Sequence, residues 1–320
     1  MEACSSQGKF NVTTYNAVEM AIITPQAFAG MWINAFIVSV LCVAWVKKRS
    51  LNSNEKILLV LGFSRFWYLC IAWVGSFIEN IYSFCVYVHL KIQMFSAILG
   101  FFNISSLWIS AILSVFYCIK IANFQHTFFI YLKVRIDRIV PWLMLTSVPV
   151  SLGISVFVYM IVDEAICDNK NCTSTGSMWD LNIRPDQHFF PLYFITGFVY
   201  ATAFAAVISS ALLLLFSLWR HKHRMQTKSG KNVSVDAHIK AMKSIFSFFF
   251  IYTINFILLI LALIYSLKKE KAVMLLIAVF HYSLTTAHSL ILIFSNPKLE
   301  KTLLRTLSCL KCKICMRHET

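Results

Sequence analysis

Seven stretches of this chain run for 20 residues or more with almost no charge, at roughly 20–46, 56–79, 92–121, 139–162, 189–218, 242–266 and 272–295. An apolar run of about 20 residues is long enough to cross the hydrocarbon of a bilayer as a helix. In lipid every backbone N–H and C=O must find its partner inside the protein, so such a run folds as a helix. The expected fold is therefore an all-α membrane protein, a seven-transmembrane-helix bundle. Composition agrees: 58% of residues are hydrophobic and only 13% charged, about half the charge of an ordinary soluble domain. The third run is long for one crossing and is expected to tilt. No internal repeat is visible, which counts against the inverted-repeat transporter folds.

Charge placement orients the bundle. Of the 29 Lys and Arg residues, 21 fall after the first, third, fifth and seventh runs. They include Lys47, Lys48, Arg49, Lys120, Lys133, Arg135, Arg138, Arg220, Lys222, Arg224, Lys240, Lys243, Lys298, Lys301 and Arg305. The positive-inside rule puts that side in the cytoplasm and the N-terminus outside. The formal charge of +15 is thus a membrane-topology signal and not a nucleic-acid surface. The sequons at Asn11 and Asn171 fall outside and are expected glycosylation sites, whereas those at Asn103 and Asn232 fall in a span and in the cytoplasm. No cleavable signal peptide is expected, because polar residues precede a full-length span.

One charge breaks the pattern. Arg65 lies within the second run, about 12 Å along the helix from Ile57 at about 1.5 Å per residue. A charge at that depth costs several kcal/mol unless it is compensated, and marks a functional site by default. A channel or transporter would call for several such charges or broken spans, and the spans offer Arg65 alone.

The ten cysteines form no disulfide framework. Cys42, Cys70, Cys85 and Cys118 read as small packing residues. Cys167 and Cys172 face the oxidising side, and their pairing is left open. Cys309, Cys312 and Cys315 lack a good fourth zinc ligand beyond His318, so palmitoylation beside the membrane is the preferred reading. No metal or cofactor is expected, and no constellation of catalytic groups lies at one depth, so an enzyme is not expected.

Short motifs recur in order along the spans. The first holds Gly30-Met-Trp-Ile-Asn34 and the second Phe63-Ser-Arg65. The third closes on Phe116-Tyr117-Cys-Ile-Lys120, followed by Phe128-Phe-Ile-Tyr-Leu-Lys133. The sixth opens with Asp236-Ala-His238-Ile-Lys240-Ala-Met-Lys243, and the seventh ends His288-Ser289-Leu-Ile-Leu-Ile-Phe-Ser-Asn296-Pro297. Together these resemble the bitter taste receptors (taste receptor type 2), a family of G-protein-coupled receptors, from about Gly30 to Leu304. No acidic-Arg-Tyr motif closes the third span, and the sixth has neither Trp nor Pro. Both absences separate the chain from the large rhodopsin-like class. Two departures from the family pattern stand out: Ala203 where the fifth span commonly carries proline, and Glu300 where the seventh-span exit commonly carries Lys.

The resemblance implies a plasma-membrane receptor for small bitter agonists, coupled to a heterotrimeric G protein of the gustducin kind. It implies a ligand site between the outer halves of the helices, at Leu99, Gly100, Asn103, Ile195, Tyr252, Asn255, Leu259, Ala278 and His281, with Glu79 and Asn80 near its entrance. The outer half of the third span carries no Asp or Glu, so a cationic amine finds no salt-bridge partner there. The resemblance also implies a polar knot of Gly30, Asn34, Arg65 and Ser289 on the cytoplasmic side of the ligand. That knot reads equally as a fixed clamp or as a switch. Tyr117, Lys120, Lys133, Arg220, Lys240, Lys243 and His288 are the candidates for G-protein coupling. His288 is open to a second reading as a core histidine.

Residues 1–320 read as one receptor domain, with 297–320 as a cytoplasmic tail. Leu299, Leu303, Leu307 and Leu310 recur there at helical spacing, the mark of an interfacial amphipathic helix. Membrane lipids are therefore expected partners, and a receptor oligomer is left open. The alternative within receptors is a vomeronasal type 1 receptor, which shares the topology; the segments around Tyr117 and His288 favour taste.

Overall fold

The computed structural model describes residues 14–81, 92–122, 124, 126–169, 185–226, 246–247, 249–258, 260–261 and 271–318. Helices dominate them: α1 (Thr14–Lys48), α2 (Ser53–Ile81), α3 (Ile92–Ile121), α4 (Thr127–Asn169), α5 (Pro185–Gln226), α6 (Phe249–Leu258), α7 (Lys271–Ser295) and α8 (Pro297–His318). Six of them are long and apolar enough to cross a membrane, and α6 is the described part of the sixth expected span.

The bundle is apolar on the outside as well as within. Trp32, Val46, Val134 and Trp142 are each more than two-thirds exposed. In water that arrangement would be unstable; in lipid it is a solvated surface, which is the physical signature of a membrane protein.

α3 is the central element, packing on α2, α4 and α5, while α1 lies against α2 and α7. α6 docks through the stacked rings of Phe204 and Phe256, 4.6 Å apart, and through Tyr252, which is buried with Ala111, Ala203 and Val207. Ala203 is fully buried inside an unbroken α5. At the missing-proline position the helix therefore continues and uses its small side chain for close packing.

The largest core cluster occupies the cytoplasmic half. It joins Ile37 and Leu41 of α1, Leu58 and Leu61 of α2, Leu113 and Phe116 of α3, Leu292 of α7 and Leu299 of α8. On α4 the buried Ser147, Ser151 and Ser155 fall four apart on one face, and each hydroxyl donates to a carbonyl of the preceding turn. Their polarity is thus satisfied within the helix, and their small size lets α4 lie close to its neighbours.

α4 is 43 residues long and begins well before the apolar run at 139–162. Hydropathy sees only that run, whereas the helix extends into the cytoplasm over Lys133, Arg135, Asp137 and Arg138. The junction contains Pro141, whose missing N–H leaves the Asp137 carbonyl without its helical donor. The Ser53 hydroxyl of α2 approaches that carbonyl at 3.5 Å, and Asp137 pairs with Lys120 of α3 at 2.6 Å.

Helix starts on this side follow capping chemistry. At α2 the Asn52 N–H donates to the Glu55 carboxylate at 3.2 Å, the back-reaching half of a capping box, and the Asn52 carbonyl receives the first helical N–H, from Lys56, at 2.9 Å. Asn296 starts α8: its Oδ1 accepts the N–H groups of Lys298 at 3.1 Å and Leu299 at 3.4 Å. Pro297 then occupies the first helical position, where its missing N–H costs nothing. The Asn296-Pro297 pair is therefore a helix junction written in two residues. Lys298 adds an ion pair to Glu55 at 2.7 Å, tying α8 to the start of α2.

Candidate functional site

A cavity of about 410 Å³ opens among α2, α3, α5, α6 and α7. Its lining includes Leu99 and Asn103 of α3, Tyr252 and Asn255 of α6, and Ala278 and His281 of α7. All six are among the expected ligand residues, and the fold brings them to one space. Asn103 is 4 positions after Leu99, Asn255 is 3 after Tyr252, and His281 is 3 after Ala278, so each pair shares a helix face.

The polar groups on the walls are partly fixed. Asn103 Nδ2 donates to the Tyr200 hydroxyl of α5 at 2.8 Å. The Tyr68 hydroxyl and His281 Nε2 lie 2.8 Å apart, joining α2 to α7. Asn255 differs: its side-chain oxygen is buried without a hydrogen-bond partner. A buried acceptor left unpaired costs about 1–3 kcal/mol, so a donor delivered into the cavity would recover that energy. Gly75 shapes the mouth. A Cβ there would lie 2.5 Å from Phe95 Cε1, so glycine is what lets Phe95 line the cavity against α2.

The floor is the charged knot. Arg65 is only 4% exposed and lines the cavity together with Ser110, Thr285 and His288. Its guanidinium donates to Ser289 Oγ at 3.1 Å, to Ser110 Oγ at 3.1 Å and to His288 Nδ1. Arginine has donors only, so Nδ1 of His288 accepts and the ring is the neutral Nε2–H tautomer. The Ser289 hydroxyl has Asn34 Oδ1 at 3.0 Å and the Thr285 carbonyl at 3.1 Å as acceptors. Asn34 Nδ2 in turn donates to the Gly30 carbonyl at 2.8 Å. The four expected members thus form one chain of contacts. Gly30 has a packing reason as well, since a Cβ there would sit 2.7 Å from both Leu69 Cδ1 and Thr286 Oγ1.

The structure sharpens two placements. Arg65, expected below the ligand level, lies at the floor of the cavity. Of the two readings of His288, burial at that floor against Arg65, with its ring 5.9 Å from that of Tyr252, favours the core histidine over a coupling residue on the cytoplasmic face. The register of α7 explains this: both residues meet Arg65 of α2, but His288, one residue earlier, also packs on Tyr252 of α6, whereas Ser289 also reaches Asn34 of α1.

Two other expected ligand residues lie outside the lining. Gly100 faces α4, where a Cβ would meet Val158 at 3.8 Å, and Ile195 is exposed on the outer surface of α5. Asn80 is occupied by helix and inter-helix contacts, giving an amide hydrogen bond to the Ser76 carbonyl and accepting one from Asn16 on its own carbonyl. The side chains of Leu259 and Glu79 lie outside the described residues, as do Asn11 and Asn171 and the pairing of Cys167 with Cys172.

Several lining residues went unnamed in the sequence: Tyr68, Ser106, Ser110, Tyr200, Tyr282 and Thr285. Helical spacing is the signal that finds most of them. Tyr68 is 3 after Arg65, Ser110 is 7 after Asn103 and Thr285 is 4 after His281.

On the cytoplasmic face, Tyr117 packs against the large core cluster. Lys120 is held by Asp137, and Lys133 reaches the Ala122 carbonyl at 3.2 Å. Arg220 is exposed on α5. The Lys222 and Arg224 side chains, and Lys240 and Lys243, lie outside the described residues. Arg135 is seated on the Tyr131 ring at 4.5 Å. Cys309 is exposed on α8; the side chains of Cys312 and Cys315 lie outside the described residues.

Residues 12–311 match the family model "Taste receptor protein (TAS2R)". The chain is 31% identical to taste receptor type 2 member 41 of Rattus norvegicus, covering 91% of this chain and 95% of that protein. It is 30% identical to taste receptor type 2 member 7 of Papio hamadryas, over 87% and 89% respectively. It is 29% identical to taste receptor type 2 member 2 of Homo sapiens, over 93% and 97%.

Proposed function

The chain belongs to the taste receptor protein (TAS2R) family, and from that premise we propose that its cavity is the site where small bitter agonists act. Membership makes the protein a G-protein-coupled bitter taste receptor, a multi-pass protein of the plasma membrane and not an enzyme.

The observation that carries the site assignment is the chemistry of the lining. Phe95, Leu99, Leu107, Leu258, Ile277 and Ala278 supply apolar wall. Asn103, Asn255, Tyr200, Tyr252 and His281 supply neutral polar groups, and among the described residues no carboxylate lines the cavity. Such a pocket suits a small, mostly apolar molecule with one or two polar groups. Few fixed anchors mean broad tuning and modest affinity.

Agonist on Tyr252, Asn255 or His281 pushes on α6 and α7 next to the Arg65 knot. That knot joins α1, α2, α3 and α7 through polar contacts that can re-pair only by discrete steps, the property of a switch element. The cytoplasmic ends of α3, α5 and α6 then open to a heterotrimeric G protein of the gustducin kind, with Tyr117, Lys120, Lys133, Arg220, Lys240 and Lys243 on the contact surface. α8 lies on the membrane with Leu304 and Leu307 toward lipid, and Cys309 is placed for acylation. Residues 1–320 act as one receptor domain with 297–320 as its tail.

The test is a calcium assay in cells that co-express a taste-type G protein, screened with chemically diverse bitter compounds. Responses to a subset are expected. Silence across the panel with surface expression verified contradicts the reading.

A further inference from the structure

Arg65 poses a charge problem that its visible partners do not solve. Its hydrogen-bond acceptors are two serine hydroxyls and a neutral imidazole, none of which carries negative charge. Its Nε–H is buried with no hydrogen-bond partner. The cavity it borders is lined by Tyr68, Ser106, Ser110, Tyr252 and Thr285 nearby, and among the described residues by no Asp or Glu. A guanidinium in that setting has hydrogen bonds but, among the described residues, no counter-charge, and it borders a cavity of about 410 Å³.

We propose that the floor of the cavity is an anion subsite in which a small anion, or the carboxylate of an agonist, acts as the counter-ion of Arg65. The geometry suits that chemistry. Three of the five guanidinium N–H groups go to Ser289, Ser110 and His288, which leaves the Nε–H and one further N–H to donate to a carboxylate oxygen or a halide. Hydroxyls of the kind found at Ser106 and Tyr252 can complete the shell of either. The same field excludes a cationic group from the floor, so cationic agonists sit higher, at the level of Asn103 and His281. An anion bound here compensates the uncancelled charge of Arg65, whose hydrogen bonds join α2, α3 and α7, and so couples solution anions or acidic agonists to the stability of the knot. The inference rests on the cavity being solute-accessible, as in the reading above, but its test needs no agonist.

Purified full-length receptor is subjected to thermal unfolding in chloride at about 0.15 M, and in a bulky sulfonate buffer anion at equal ionic strength. Sodium benzoate and its neutral analogue benzamide are tested in the sulfonate buffer. A rise of several degrees in the midpoint with chloride identifies the small ion as an occupant. A rise with benzoate but not with benzamide identifies a ligand carboxylate. Either supports the subsite. Ser110→Asp places a carboxylate on Arg65 and is expected to abolish the anion response while folding in its absence. Arg65→Gln, where it folds, is expected to do the same. No anion dependence in the wild type, or an undiminished response in Ser110→Asp, overturns the subsite. In that event agonist responses that still depend on Asn255 leave the function itself standing.

Discussion

Arg65 of the second helix and Ser289 of the seventh meet at 3.1 Å across 224 positions of sequence, and Ser289 passes the contact on to Asn34 of the first helix. Three helices are thereby joined at one point in the bundle. Ser289→Ala removes the acceptor of an arginine N–H and the donor to Asn34 together. Unpaired buried groups of this kind cost about 1–3 kcal/mol each. The expected outcome is a lower unfolding temperature and weaker responses to every agonist alike. Thermal unfolding of purified receptor and an agonist panel read the two effects separately.

Arg65→Ala goes further, since Ser110, Ser289 and His288 all lose a partner. Surface expression or signalling is expected to fall regardless of compound. A variant that loses response to some agonists while keeping full response to others would instead make Arg65 a ligand contact alone.

Gly30→Ala drives a methyl to within 2.7 Å of Leu69 Cδ1 and Thr286 Oγ1. Overpacking of that kind costs about 1–3 kcal/mol. A loss of stability is expected, with partial recovery when Leu69 is cut to Ala in the same chain. Absence of recovery would show that Thr286 is the rigid obstacle.

How far the sequence foretold this is clearest at the knot. Arg65 was legible because a charge stands out in an apolar run, whereas Gly30, Asn34 and Ser289 were named as its partners through the resemblance to the bitter taste receptors. The apolar runs themselves gave the bundle, for the same reason that lipid tolerates only helices there. Helix rotation was less legible. His288 and Ser289 are neighbours in sequence and both meet Arg65, yet His288 packs beside Tyr252 while Ser289 reaches Asn34, and Gly100 turns to α4 although Leu99 lines the cavity. Pairings such as Asn103 with Tyr200 span 97 positions and leave no local mark. The cytoplasmic start of α4 was missed because its residues are charged, and hydropathy cannot tell a helix leaving the membrane from a loop.

Asn296→Ala removes the cap that serves Lys298 and Leu299. A cap of this type is worth about 1 kcal/mol. α8 is expected to fray at its start and to loosen the Lys298–Glu55 pair. Hydrogen exchange at residues 298–301 should rise, while exchange in the middle of α3 stays the same.

Asn103 and Asn255 separate the roles of the cavity walls. Tyr200→Phe releases Asn103 from its inter-helix bond, so it is expected to change agonist selectivity rather than abolish response. Asn255 has no such bond on its oxygen, and its truncation should act on ligand directly.

The most direct measurement is therefore the agonist dose–response of Asn255→Ala beside the wild type, at matched surface expression, across several active compounds. The account predicts a shift of about tenfold, the equivalent of about 1.4 kcal/mol, for agonists that carry a hydrogen-bond donor, and little change for those that do not. Unchanged potency for every agonist would contradict the assignment of this cavity as the site of ligand action.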